Sequence, residues 1–101
     1  MSPDWNEDLD YRVRMLVDFS TDRTGVDRYT VVLIALDDDG TEHTVRVYDN
    51  THGRHDLHRH TRSGGKQDAE TFHRGAAGDA MNTARDLIYN GYEAMIRSWD
   101  T

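Results

Sequence analysis

Four of the six histidines fall within nine residues, His52-Gly-Arg-His55-Asp-Leu-His58-Arg-His60, and this run is also the basic part of an acidic chain. Residues 46 to 66 hold five basic and two acidic residues, a net of +3, and the remainder holds seven basic and seventeen acidic residues, a net of −10. A strand over 54–62 places Arg54, Asp56, His58, His60 and Arg62 on one face and His55, Leu57, Arg59 and Thr61 on the other, because side chains alternate along a strand. Histidines two apart then stand roughly 7 Å from one another. That is close enough to serve the two ends of one phosphodiester, one ring accepting a proton while the other donates. Arg54 and Arg62 would hold the charged oxygens, since guanidinium matches phosphate geometry. Asp49, Asn50 and His52 join from the adjacent turn. The pattern reads as a metal-independent ribonuclease with His58, His60 and His52 as catalytic groups and Arg54, Arg62, Asp49 and Asn50 as substrate ligands.

Two plainer readings stand beside it. A strand with one charged face discourages edge-to-edge aggregation and needs no further role. A zinc site could draw on His52, His55, His58, His60 and His73 with Asp49 or Asp56, although the spacing matches no helical H-E-x-x-H signature. The expectation is therefore no metal and no cofactor. The chain contains no cysteine, which excludes disulfides, thiolate zinc sites and cysteine nucleophiles. His43, alone on its strand, reads as structural, and Tyr89, Tyr92 and Trp99 read as core.

The elements that must position these residues are legible around them. Residues 10–19 alternate, with Tyr11, Val13, Met15, Val17 and Phe19 on one face, as in a half-buried strand. Tyr29–Leu36 is a continuous β-branched and aliphatic run that fits a central strand. Asp37-Asp38-Asp39-Gly40 marks a tight hairpin. Residues 42–49 return as a third strand, with Val45 and Val47 on one face and Arg46 and Tyr48 on the other. A fourth strand over 54–62 and a short fifth ending near Phe72 complete the sheet. Ala80, Met81, Ala84, Leu87, Ile88, Tyr92, Met95, Ile96 and Trp99 recur at helical spacing, which predicts an amphipathic helix of about 20 residues, with Asp79 as its N-cap.

The expected fold is α+β: an antiparallel meander of four to five strands with one C-terminal amphipathic helix packed on one face. At 101 residues the chain is read as one domain, with 1–9 a loosely ordered N-terminal segment. One helix covers one sheet face, and Leu16, Val32, Ile34, Leu36 and Tyr48 are expected on the other. That apolar surface predicts a homodimer or a partner protein. The N-terminus has no apolar h-region and no run approaches the ~20 residues of a membrane span, so the expected location is cytoplasmic with no membrane partner.

The run Val47-Tyr48-Asp49-Asn50-Thr51-His52, followed by a histidine-rich strand, a glycine-containing turn and an amphipathic helix ending near a tryptophan, resembles the TumE-type toxins of toxin–antitoxin pairs over residues 45–99. The resemblance implies a toxin module acting on RNA, with an antitoxin partner, and points to Asp49, Asn50, His52, His58 and His60. The alternative function is a non-catalytic interaction module. Basic residues are 11 Arg to 1 Lys and acidic residues 15 Asp to 4 Glu, a lysine-poor, acidic balance that suggests a halophilic source. High salt opposes charge-driven RNA binding. With ~5 phosphate contacts the counterion slope is about −3.5, so moving from ~0.15 M to ~2 M salt weakens binding by roughly four decades. Stacking or shape would have to carry such recognition.

Overall fold

The computed structural model describes residues 4–100. Seven strands precede one helix: β1 (Asp4–Asp10), β2 (Val13–Asp22), β3 (Gly25–Leu36), β4 (Glu42–Asp49), β5 (His55–Thr61), β6 (Gly65–Lys66), β7 (Glu70–His73) and α1 (Ala77–Trp99). The first six follow one another across the sheet in chain order, all antiparallel, and β7 joins the outer edge of β5. The α+β meander with one helix is therefore as expected, with more strands than the four to five read from the sequence.

The extra strands have identifiable causes. Residues 4–10, expected as a loose segment, pair with β2 from Asp4↔Asp18 to Asp10↔Val13. The aspartates conceal a half-strength alternation in which Trp5 and Leu9 pack against the core. Trp5 meets Phe19 edge-on at 5.7 Å between ring centroids, and Glu7 and Asp10 accept hydrogen bonds from Tyr89 and Tyr92 of α1. Residues 1–3 of that segment lie outside the described residues. After β5 the chain turns through Ser63-Gly64, pairs briefly as β6, and returns as β7 opposite His55–Leu57.

The helix lies on one sheet face, against β3, β4 and β5. Met15, Val17, Tyr29, Val31, Leu33, Ala35, Val45, Tyr48 and Leu57 meet Ala80, Met81, Ala84, Ile88, Met95 and Trp99 in one buried cluster. Ala80 and Ala84 are fully buried; their small side chains let the helix lie close to the sheet. Its N-cap is Ala76, which makes no side-chain cap bond, while Asp79 sits within the first turn. There its carboxylate meets the positive end of the helix dipole rather than capping it.

One local irregularity decides which face several residues occupy. Between Leu33↔Arg46 and Ile34↔Thr44 the register shifts, leaving Val45 as an extra residue in β4. A bulge of this kind offsets the alternation by one. Val45 and Tyr48 therefore both enter the helix-side core, against the strict alternation expected for residues 42–49, and Tyr48 is fully buried with Phe72 edge-on at 4.9 Å. Leu16, Val32, Ile34 and Val47 stay outside that cluster. They occupy the face that α1 leaves uncovered, and it is on this face that the histidine island opens.

Candidate functional site

The β4–β5 hairpin builds the site. Its register sets Asp49 opposite Asp56 and Val47 opposite His58, so two carboxylates and an imidazole from adjacent strands point the same way. The connection, Asn50 to Arg54, turns through Gly53 at φ 82°, a conformation that disfavours any residue with a Cβ. Asn50 fastens this turn to β3: its side-chain oxygen accepts the Tyr29 N–H at 3.0 Å and its amide donates to the Asp27 carbonyl at 2.9 Å.

On the uncovered face the hairpin and the chain that follows β6 enclose a cleft of about 400 Å³ lined by His52, Arg54, Asp56, His58, Lys66, Gln67, Asp68 and Ala69. Its floor is buried: Asp56 is 1% exposed and His58 6%. Arg54 donates from Nε to Asp56 Oδ1 at 3.1 Å while keeping most of its side chain in solvent. His58 Nε2 stands 3.7 Å from Asp49 Oδ2, and its Nδ1 has no hydrogen-bond partner. His52 and Arg54, both exposed, stand at the mouth. His60 is two residues along the same face as His58 and pairs in register with Lys66. Burial, then Lys66 and His58, lowers its pKa from the ordinary imidazole value. His60 is thus neutral at neutral pH, the form that accepts a proton.

The island divides between the two faces. His52, His58 and His60 belong to the cleft side with Arg54 and Asp49. His55 belongs to the helix side: it shares a hydrogen bond of 2.7 Å with the Tyr29 hydroxyl and donates from Nε2 to the Gly75 carbonyl at 2.8 Å. His73 is 5.7 Å from the His55 ring, between centroids, in the same cluster. A five-histidine zinc site is therefore not assembled, because alternation separates its members. Tyr29, buried beneath this pair, has its phenol pKa pushed up by burial and by the charges of Asp49 and Asp56.

Arg62 leaves the face expected for it because β5 ends at Thr61. Its side chain lies 4.3 Å over the Trp99 ring, donates to Asp100 at 2.6 Å and reaches Asp37 at 3.3 Å. Its backbone N–H donates to the Trp99 carbonyl at 2.8 Å, so it fastens the end of α1 to the sheet. Asn50 is similarly a turn clamp. His43 is structural, paired with Asp37 and packed 5.4 Å from Trp99. Conversely, sequence reasoning gave no site role to Asp56 or Lys66. For Asp56 a signal was present, an acid on the i, i+2 row of His58; Lys66 arrives only through the β5–β6 turn.

The fold and cleft define a small α+β domain: an open antiparallel sheet with a helix on one face and a polar, histidine-bearing cleft on the other. The chain belongs to the family described as a domain of unknown function (DUF7718), whose family model matches residues 1–101. No curated protein and no solved structure matches it. No helix of the described residues is long and apolar enough to cross a membrane.

Proposed function

We propose that this protein is a small toxin-type protein that acts on RNA, cleaving phosphodiesters by acid–base chemistry at the β4–β5 cleft. One observation supports it: His52, Arg54 and Lys66 converge at a cleft whose floor is the buried Asp56 and His58. His60, held neutral, accepts the proton of the attacking 2′-hydroxyl. His52, at the exposed turn, protonates the leaving oxygen. Arg54 and Lys66 bind the non-bridging oxygens, on which charge grows in the transition state. His58, beside Asp49, forms the floor on which the phosphate rests. The resemblance of residues 45–99 to TumE-type toxins adds an antitoxin partner that would cover the cleft.

The test is incubation of labelled single-stranded RNA with purified protein at low and molar KCl, with and without EDTA, beside His52→Ala and His60→Ala. Cleavage by the parent, lost in both variants at unchanged melting temperature, is the expected result. No cleavage under any of these conditions overturns the reading. A second reading then takes its place, an interaction module or homodimer assembled through the uncovered face, where Leu16, Val32, Ile34 and Val47 lie outside the helix-side core. Val32→Asp would then disrupt assembly while histidine changes are silent.

A further inference from the structure

We infer that Asp49, Asp56 and His58 form a binding site for one first-row divalent cation of the Mn²⁺ or Zn²⁺ type. One oxygen from each aspartate and one ring nitrogen of His58 lie within 4.8 Å of one another. An ion at the centre of a triangle with 4.8 Å sides would be about 2.8 Å from each corner, and metal–ligand distances of ~2.0–2.2 Å require a contraction of about 0.6 Å. Small side-chain rotations cover that distance. The pair Asp49 Oδ2 and His58 Nε2, at 3.7 Å, is already near the ~3.4 Å separation of two ligands on a tetrahedral ion with such bonds.

Two further observations point to a cation rather than to a self-sufficient cluster. The His58 side chain is 8% exposed, yet its Nδ1 has no hydrogen-bond partner and its Nε2 lies past hydrogen-bond range of Asp49. Buried polar groups are almost always paired, so an imidazole left this way is a ligand lacking its ion. The charge is also unbalanced. Side chains of Asp49 and Asp56, 13% and 2% exposed, have Arg54 beside them, and its side chain is 68% exposed. Two buried carboxylates this close repel unless a positive charge lies between them.

The donor set selects the metal. Two carboxylate oxygens and one imidazole suit Mn²⁺, Fe²⁺ or Zn²⁺; Ca²⁺ requires six to eight oxygens. Three protein ligands leave a position open toward the cleft and its His52, Arg54 and Lys66, where a water or a phosphate oxygen would bind. The site shares its cleft with the RNA reading and does not depend on it, because metal binding alone reads it out.

The experiment is calorimetric titration of chelator-treated protein with MnCl₂, and separately with ZnCl₂ and CaCl₂, followed by pulsed electron paramagnetic resonance of the Mn²⁺ complex. Expected are one equivalent of Mn²⁺ or Zn²⁺ per chain, at least tenfold weaker Ca²⁺ binding, and one imidazole nitrogen coupled to the Mn²⁺ electron spin. Asp49→Asn and His58→Gln should each weaken binding at least tenfold, and His55→Gln, on the other face, should not. No saturable binding at millimolar metal, or a Mn²⁺ complex without nitrogen coupling, overturns the inference. The second readout uses the unsubstituted protein and holds even if a variant fails to fold. Binding undiminished in His58→Gln would place the ion on the exposed His52 and His60 and overturn it equally. Metal binding without RNA cleavage would remove the nuclease reading and leave the site; EDTA-resistant cleavage without metal binding would do the reverse.

Discussion

The hydrogen-bond chain from Tyr29 through His55 to Gly75 tests the division of the histidine island most directly. His55 Nε2 meets a carbonyl at 2.8 Å and must donate there, so the neutral ring presents Nδ1 as an acceptor and the Tyr29 hydroxyl donates to it at 2.7 Å. Tyr29 is 2% exposed, and replacing it by phenylalanine keeps the packing while leaving Nδ1 without its donor. A lost internal hydrogen bond costs about 1 kcal/mol, and the unsatisfied acceptor on a half-buried ring adds up to about 1 more. Tyr29→Phe should therefore lower stability by roughly 1–2 kcal/mol, or about 5 to 15 °C in melting temperature for a domain of this size. Thermal unfolding followed by circular dichroism at pH 8 reads it. RNA cleavage and Mn²⁺ affinity should be retained, since His55 faces away from the cleft. An unchanged melting temperature would refute the structural role given to His55, and loss of metal binding would refute the separation of faces.

Gly91 lies in the middle of α1, where a Cβ would meet the end of Met95 at 3.5 Å, an ordinary contact. Gly91→Ala should accordingly stabilise by about 1 kcal/mol, the helix-propensity difference; a lower melting temperature would mean that the groove beside Arg46 needs the glycine. Burial, Lys66 and His58 lower the His60 pKa below its reference of 6.5. Below that value the unfolded chain takes up a proton more readily than the folded one, so this contribution is complete above pH 6.5 and is lost as pH falls through the lower, folded value. His60→Gln should flatten the acid limb of a melting-temperature against pH profile, and an unaltered slope would contradict the assignment. Nineteen acidic residues against twelve basic ones repel at low ionic strength, and the Debye length shrinks from ~10 Å at 0.1 M to ~3 Å at 1 M salt. The melting temperature should rise with KCl, and equal stability at 0.1 and 2 M would count against a halophilic origin.

The sequence by itself determined the α+β class, the order of the principal strands and the C-terminal helix, because each rests on a local period: two in Val13–Phe19, about 3.6 in Ala80–Trp99. It also located the chemistry, since a histidine-rich basic segment in an acidic chain is a property of composition. Alternation correctly grouped Arg54, Asp56, His58 and His60 and set His55 apart from them. Tertiary structure alone decided what alternation cannot carry. One bulged residue, Val45, moved Tyr48 into the helix-side core. The end of β5 at Thr61 sent Arg62 to Trp99 instead of the cleft. The pairing of Trp5 and Leu9 with their neighbours made a strand of an aspartate-rich segment. Above all, it set Asp49 across from Asp56 and brought His58 against Asp49. Cross-strand register joins residues distant in sequence through the length and shape of a turn, and no periodicity within either strand records it.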